Sequence, residues 1–269
     1  MPYRIDRIEG RVMPVNAFVI HGPGGIVVVD GMLTVSDATL VRRAIDDAGR
    51  PLAGVVITHP HPDHYAGLWH LVGDDDIPIV ATRAVDEVIR RDDATKNDIV
   101  GPMMGAEWPA TRRFPNQVVE DGTPVALGGL NLEVTELGPG ESPVDSLWRL
   151  DSRTVFGGDI SYNGMHAYLA DGHWEDWLSS LTDLEGELPE DVTLHVGHGP
   201  AGGTELLAAQ RRYIERFMAA VTENAERIAA GDHAPVVAAM KALLPSDNLL
   251  FLMELSIDPV LAALTARRR

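Results

Sequence analysis

Thr58-His59-Pro60-His61-Pro62-Asp63-His64 places three imidazoles and a carboxylate within six residues. The run before it, Gly54-Val55-Val56-Ile57, is short, apolar and β-branched, the pattern of a buried strand. Two prolines keep the following residues off the helical track, so His59, His61 and Asp63 are expected on an extended loop at the strand's end. Asp63 is then placed to N-cap a helix running through Tyr65, Leu68, Leu71 and Val72. Neutral imidazoles suit divalent transition metals, and a neighbouring carboxylate can hold a second ion or orient a ligand. Four such side chains in this order point to a metal site rather than to scattered loop histidines.

Upstream, residues 3–31 read as successive strands, with 15–21 and 26–30 joined by Gly22-Pro23-Gly24-Gly25. A strand follows these glycines, so they mark a turn and not a phosphate cradle. Asp30 closes the second strand. Helical spacing over residues 35–48 stops at Gly49-Arg50-Pro51, and a strand from 78 and a helix over 85–91 continue the α/β alternation. From 92 to 120 the periodicity fails, and Pro102, Met103, Met104, Trp108, Pro109, Phe114 and Pro115 predict a long irregular insertion. Its apolar residues suit a lid, the alternative being that they pack on the protein's own surface.

Residues 123–137 supply two strands around Gly128-Gly129 and end in Gly138-Pro139-Gly140-Glu141-Ser142-Pro143, a tight loop carrying the candidate ligand Glu141. The next strand closes in Gly157-Gly158-Asp159, with Tyr162 three residues on. An amphipathic helix over 174–184 precedes the last strand and its Gly197-His198-Gly199 loop. Strand alternation turns His195 away from His198, which makes it a structural histidine. His21, His70, His173 and His233 take the same bland reading, as does His166, although His166 lies nearest Asp159 in sequence. Residues 204–231 form a long striped helix, with more helix to the end. Leu249-Leu250-Phe251-Leu252-Met253 could cover the core, line a pocket mouth or pair with another subunit.

The chain of 269 residues, 45% apolar, can bury a sizeable core. A net charge of −18 argues against nonspecific nucleic-acid binding, and Arg267-Arg268-Arg269 reads as a solvated tail. Cysteine is absent, which excludes disulfides and thiolate ligands. Charge near the N-terminus and the lack of any run of 18 apolar residues make a cytoplasmic protein without a membrane partner the default expectation.

The opening motif resembles the H-x-H-x-D-H signature of the metallo-β-lactamase superfamily, matched residue for residue by His59, His61, Asp63 and His64. Five motifs in the family's order extend the resemblance over about residues 10–200. It implies an α/β fold, a four-layered αββα sandwich over 1–203, with C-terminal helices over 204–269 packed on the same domain. It implies that His59, His61 and Glu141 hold one ion and Asp63, His64 and His198 the other, bridged by Asp159 and a water or hydroxide, while Asp30 supports the metal loop from behind.

Glu141 departs from the family's usual His, and alkylsulfatase-type members carry Glu there in a similar context. Tyr162 matches a tyrosine of the lactonase branch that helps hold substrate. The expected protein is a dinuclear hydrolase of a small-molecule ester, lactone or related bond, attacking through the bridging hydroxide, with Asp63 orienting it or relaying a proton. Zinc is the first expectation for the two divalent ions, with manganese or iron as alternatives that the harder Glu141 ligand favours. A sulfatase-like hydrolase, a di-iron redox protein and a binding module compete with this reading, and β-lactamase activity is not favoured. A homo-oligomer through the C-terminal helices is a further expectation.

Overall fold

The computed structural model describes residues 3–267. In its first sheet the strands lie side by side in chain order: β1 (Arg4–Glu9), β2 (Asn16–His21), β3 (Ile26–Val29), β4 (Leu52–Val56), β5 (Ile79–Thr82) and β6 (Gln117–Val119). Pairing is antiparallel from β1 to β3 and parallel from β3 to β6. Parallel neighbours need a crossover. The links are α1 (Val35–Ala48), then α2 (Pro62–Tyr65) with α3 (Leu68–Val72), then α4 (Arg83–Met104).

The second sheet holds β7 (Pro124–Leu127), β8 (Leu130–Gly138), β9 (Asp145–Asp151), β10 (Thr154–Tyr162) and β11 (Thr193–His198), in the spatial order β11-β10-β9-β8-β7. Only β10 and β11 run parallel, joined through α5 (Trp174–Glu187). The chain closes with α6 (Glu205–Glu223), α7 (Ala225–Ala229), α8 (Ala234–Leu243) and α9 (Leu250–Arg267). Phe18, Val27, Val56, Val134, Trp148 and Phe156 pack between the sheets, and a larger core lies between the sheets' outer faces and the helices. This is the αββα sandwich, with C-terminal helices added. No helix among the described residues is long and apolar enough to cross a membrane.

Three expectations need correction. The helix after the motif starts at Pro62, not at Asp63, with His61 in the cap position, because proline suits the first helical residue, where no N–H is needed. It stops near Gly67, where a Cβ would meet Gly31 O at 2.5 Å. The stretch 92–120 is not irregular throughout, since α4 runs on to Met104 with Pro102 in its last turn. Trp108 folds back on that helix, its indole N–H donating to Asn97 Oδ1 at 2.9 Å and its ring lying where a side chain at position 101 would begin. Finally, Arg267 is docked rather than loose: it ion-pairs with Glu175 at 2.9 Å and stacks over Trp174 at 4.5 Å. Arg268 and Arg269 lie outside the described residues.

His195 sits on β11, stacked on Phe156 at 4.9 Å and edge-on to Phe18 at 5.0 Å, away from the histidine cluster. Burial pushes its pKa down to about 4. The imidazole is therefore neutral when folded and charges first in the unfolded chain. Stability is full above the unfolded value near 6.5 and falls as pH drops toward 4. Relative to the native chain, His195→Phe is expected to gain about 2 kcal/mol between pH 7.5 and 4.5, allowing for the ring's partial exposure. Denaturant midpoints at the two pH values measure it, and a pH-independent difference would refute it.

Candidate metal centre

The motif loop is held from both sheets. Trp148 Nε1 on β9 donates to Ile57 O at 3.0 Å, and Ser146 donates to Thr58 O from its backbone N–H at 3.0 Å and its hydroxyl at 2.6 Å. Asp30, just past β3, accepts from the Thr58 N–H and hydroxyl, both at 2.9 Å, and from His64 Nδ1 at 2.8 Å. The other acidic and histidine side chains arrive from the second sheet: Glu141 on the β8–β9 loop, Asp159 and Tyr162 on β10, and His198 at the end of β11. Two glycines make room for this convergence. A Cβ at Gly158, whose φ is +52°, would lie 2.5 Å from Thr58 Oγ1, and one at Gly197 would lie 2.0 Å from Asp159 Oδ1.

Two groups of facing donor atoms result: His59, His61 and Glu141, and beside them Asp63, His64, Asp159 and His198. In the first, Glu141 Oε2 is 2.8 Å from His61 Nδ1 and 3.6 Å from His59 Nε2. In the second, His198 Nε2 is 3.1 Å from Asp159 and 3.2 Å from Asp63, and His64 Nε2 is 3.4 Å from Asp159. Asp159 also comes within 3.9 Å of His59 Nε2, so it faces both groups. The outer ring nitrogens are all engaged. His64 Nδ1 donates to Asp30, His198 Nδ1 to Pro14 O at 2.6 Å and His61 Nε2 to Asp171 at 3.0 Å. The Thr58 hydroxyl gives its proton to Asp30 and so accepts from His59 Nδ1 at 3.0 Å. Each imidazole thereby turns a lone pair inward, as a metal ligand must.

Three of those four inward nitrogens have no hydrogen-bond partner among the described residues. Among the described residues, the buried side-chain atoms without a hydrogen-bond partner are Asn16 Oδ1, Gln210 Nε2 and five from these groups: His59 Nε2, His64 Nε2, His198 Nε2, Glu141 Oε2 and Asp159 Oδ1. Such atoms are costly unless something fills the space between them. The local field says what that is. Burial opposes charging His198, but Asp159 and Asp63 outweigh it and push its pKa up to about 10. His64 and His61 are raised in the same way, each against its own burial, by Asp159 and Asp30 and by Glu141 and Asp171. A centre that draws positive charge and offers imidazole nitrogens and carboxylate oxygens fits divalent cations.

Tyr162 donates its O–H to Asp159 at 2.8 Å and to Glu141 at 3.0 Å, and its ring stacks on His198. Burial, with Asp159 and Glu141 adding to it, raises its pKa well above the ordinary phenol value. A cavity of about 210 Å³ opens in front, reaching His61, Asp63, Glu141, Asp159 and Tyr162. His166, by contrast, bonds Tyr213 and Ser246 O and is not part of the cavity.

Sequence reasoning missed Asp171 and Tyr168. Both lie in a loop after β10, 110 and 107 positions from the His61 that they touch, and Asp171 sits in an ordinary-looking Asp-Gly turn. Burial raises the Asp171 pKa, but His61 outweighs it and draws it down to about 2. Removing this acceptor frees the His61 ring to turn. Asp171→Ala is expected to weaken metal binding at the His59–His61–Glu141 group by about 10–100-fold, read by chelator competition. Unchanged affinity would show that Glu141 alone orients the ring.

The model of the metallo-beta-lactamase superfamily matches residues 10–203. A search of curated protein sequences finds no match. Among solved structures, a beta-lactamase domain protein from Burkholderia ambifaria is 18% identical, with a TM-score of 0.68 over 99% of this chain and 87% of its own. The metallo-beta-lactamase DIM-1 is 20% identical, with a TM-score of 0.61 over 79% of this chain and 92% of its own. The sec-alkylsulfatase Pisa1 from Pseudomonas sp. is 18% identical, with a TM-score of 0.60 over 83% of this chain. The chain spans only 42% of that sulfatase's length. At these identities the likeness is one of fold.

Proposed function

The chain belongs to the metallo-β-lactamase superfamily, and on that premise we propose that it is a dinuclear metal-dependent hydrolase of a small-molecule ester, lactone or related bond. The observation that carries the reading is the convergence of five buried, unpartnered ligand atoms on two adjacent points. His59, His61 and Glu141 would hold one ion and Asp63, His64 and His198 the other, with Asp159 facing both. Two divalent cations, zinc first and manganese or iron as alternatives, would acidify a shared water and stabilise negative charge on the attacked group.

The chain's own contribution is positioning and proton handling. The Asp63 side chain is 13% exposed toward the cavity, the most open of the ligand carboxylates, and would orient the water or pass a proton to the leaving group. Tyr162 keeps its proton through the working pH range and stands at the cavity wall, where its one O–H would turn from Asp159 and Glu141 to an oxygen gaining charge once ions hold those carboxylates. Burial of Glu141 and Asp159 at the inner end of the cavity strengthens both effects. No cysteine is available as a nucleophile, and none is needed.

A sulfatase-like activity is the second reading, favoured by the buried Glu141 and the fold shared with an alkylsulfatase. A panel of lactones, thioesters, sulfate esters, phosphoesters and β-lactams, run on protein loaded separately with zinc, manganese and iron, tests both. Failure of every substrate with every metal sinks the hydrolase reading. Coloured iron protein that consumes oxygen without hydrolysis would point to di-iron redox chemistry instead. Glu141→His replaces a hard oxygen ligand by imidazole, and competitive titration is expected to move its preference from manganese toward zinc. An unchanged preference and pH profile would count against Glu141 as a ligand.

A further inference from the structure

The cavity before the ligand groups is polar at its buried end and apolar everywhere else apart from Lys96. Its walls come from two helices, α4 through Ile99, Met103 and Met104, and α9 through Phe251, Leu252 and Leu255. Ile99 and Met103 are four residues apart, as are Phe251 and Leu255, so each pair forms one strip along its helix. These four are also exposed, at 59%, 58%, 41% and 52%. Among the described residues the only other exposed large hydrophobics are Val12 and Leu243. A chain with 23% charged residues thus gathers most of its exposed apolar side chains around one opening. Such a patch marks a place where apolar matter binds.

The walls are held in place. Met253, Ile257 and Val260 bury the other side of α9, and Ser256 Oγ on that side accepts the Leu169 N–H at 2.8 Å. Methionines at 103 and 104 adapt to chains of differing length.

We infer that the substrate carries an unbranched apolar chain, which lies between α4 and α9 while its ester group reaches the ligand cluster. This rests on the hydrolase reading for the bond cut, and the chain site can be measured without it. In the reaction the oxygen of water bonds to the acyl carbon and the bond to the alkoxy oxygen breaks. One proton of water ends on the leaving alcohol, and the other is released by the acid product.

The test uses zinc-loaded protein and p-nitrophenyl esters from acetate to dodecanoate, together with fluorescence titration by a dansyl-labelled undecanoate as a non-reacting probe. kcat/KM is expected to rise about fourfold per methylene before levelling off as the cavity fills. Ile99→Asp and Leu255→Asp should lower the octanoate-to-acetate ratio at least tenfold and weaken the probe by a similar factor. Leu243→Asp, exposed but outside the cavity, should change neither. A flat chain-length profile with measurable turnover overturns the inference and leaves the hydrolase reading standing. If no p-nitrophenyl ester is cut, the zinc protein is not an esterase of this kind and the probe alone decides: saturable binding lost in Leu255→Asp supports the chain site, and no binding overturns it. A dimer that Leu255→Asp splits, with the ester ratio and the probe unchanged, would make the patch an interface between copies and also overturn it.

Discussion

Asp159→Ala is expected to lose both ions and, with them, turnover by on the order of 10³-fold or more. The carboxylate lies 3.1 Å from His198 Nε2 and 3.4 Å from His64 Nε2, and it is the group within reach of His59 across the gap. Its removal takes one negative charge from between two cation positions and leaves the Tyr162 hydroxyl with Glu141 as its sole partner. Metal per chain, by mass spectrometry after dialysis, is the direct readout. Thermal shift is the second: zinc at about 100 times its dissociation constant should stabilise the native protein by about 2.7 kcal/mol for each ion held and the variant hardly at all. Asp159→Asn, which keeps the volume and drops the charge, should behave like the alanine variant. Two retained ions with activity inside tenfold of native would refute the role.

Asp30→Ala is expected to be the most destabilising single change near the site, although Asp30 touches no ligand point. Its carboxylate is 1% exposed and satisfies the Thr58 N–H, the Thr58 hydroxyl and the His64 Nδ1–H together. Alanine strands buried donors, at a cost of about 3–5 kcal/mol. Asp30 also has a φ of 64°, a left-handed conformation that aspartate and asparagine tolerate better than alanine. Asp30→Asn keeps an acceptor oxygen and the backbone, so it should lose markedly less. Urea denaturation of chelator-treated protein isolates this effect from ion binding. A loss under about 1 kcal/mol would mean that water replaces the carboxylate.

What the sequence disclosed and what it hid follow one physical rule. His59, His61, Asp63 and His64 are neighbours in the chain, and Asp159 and His198 each follow a glycine whose lack of a side chain the packing requires. Local pattern reveals such residues. Asp171 gives no local sign, because its meaning is a contact made across more than a hundred residues. The extension of α4 was hidden for the opposite reason. Pro102 stands among the residues that read as irregular, yet Trp108 packs against Gly101, and Arg112 pairs with Asp93 at 2.6 Å to brace the helix. Tertiary contact overrides propensity there. At 249–253 the apolar run left three roles open, and the helix divides two of them, burying Met253 while Phe251 and Leu252 face the cavity.

Each ligand group draws on both sheets, and His198 is the last residue of the last strand. During synthesis the histidine motif leaves the ribosome 80 residues ahead of Glu141, which completes the first group with His61, and 134 residues after His64 comes the His198 that completes the second. An emerging chain therefore offers an ion two or three loose ligands and no finished cage. Capture in the final geometry of the second group has to wait until β11 pairs with β10, which makes its loading a late step, coupled to closure of the sandwich.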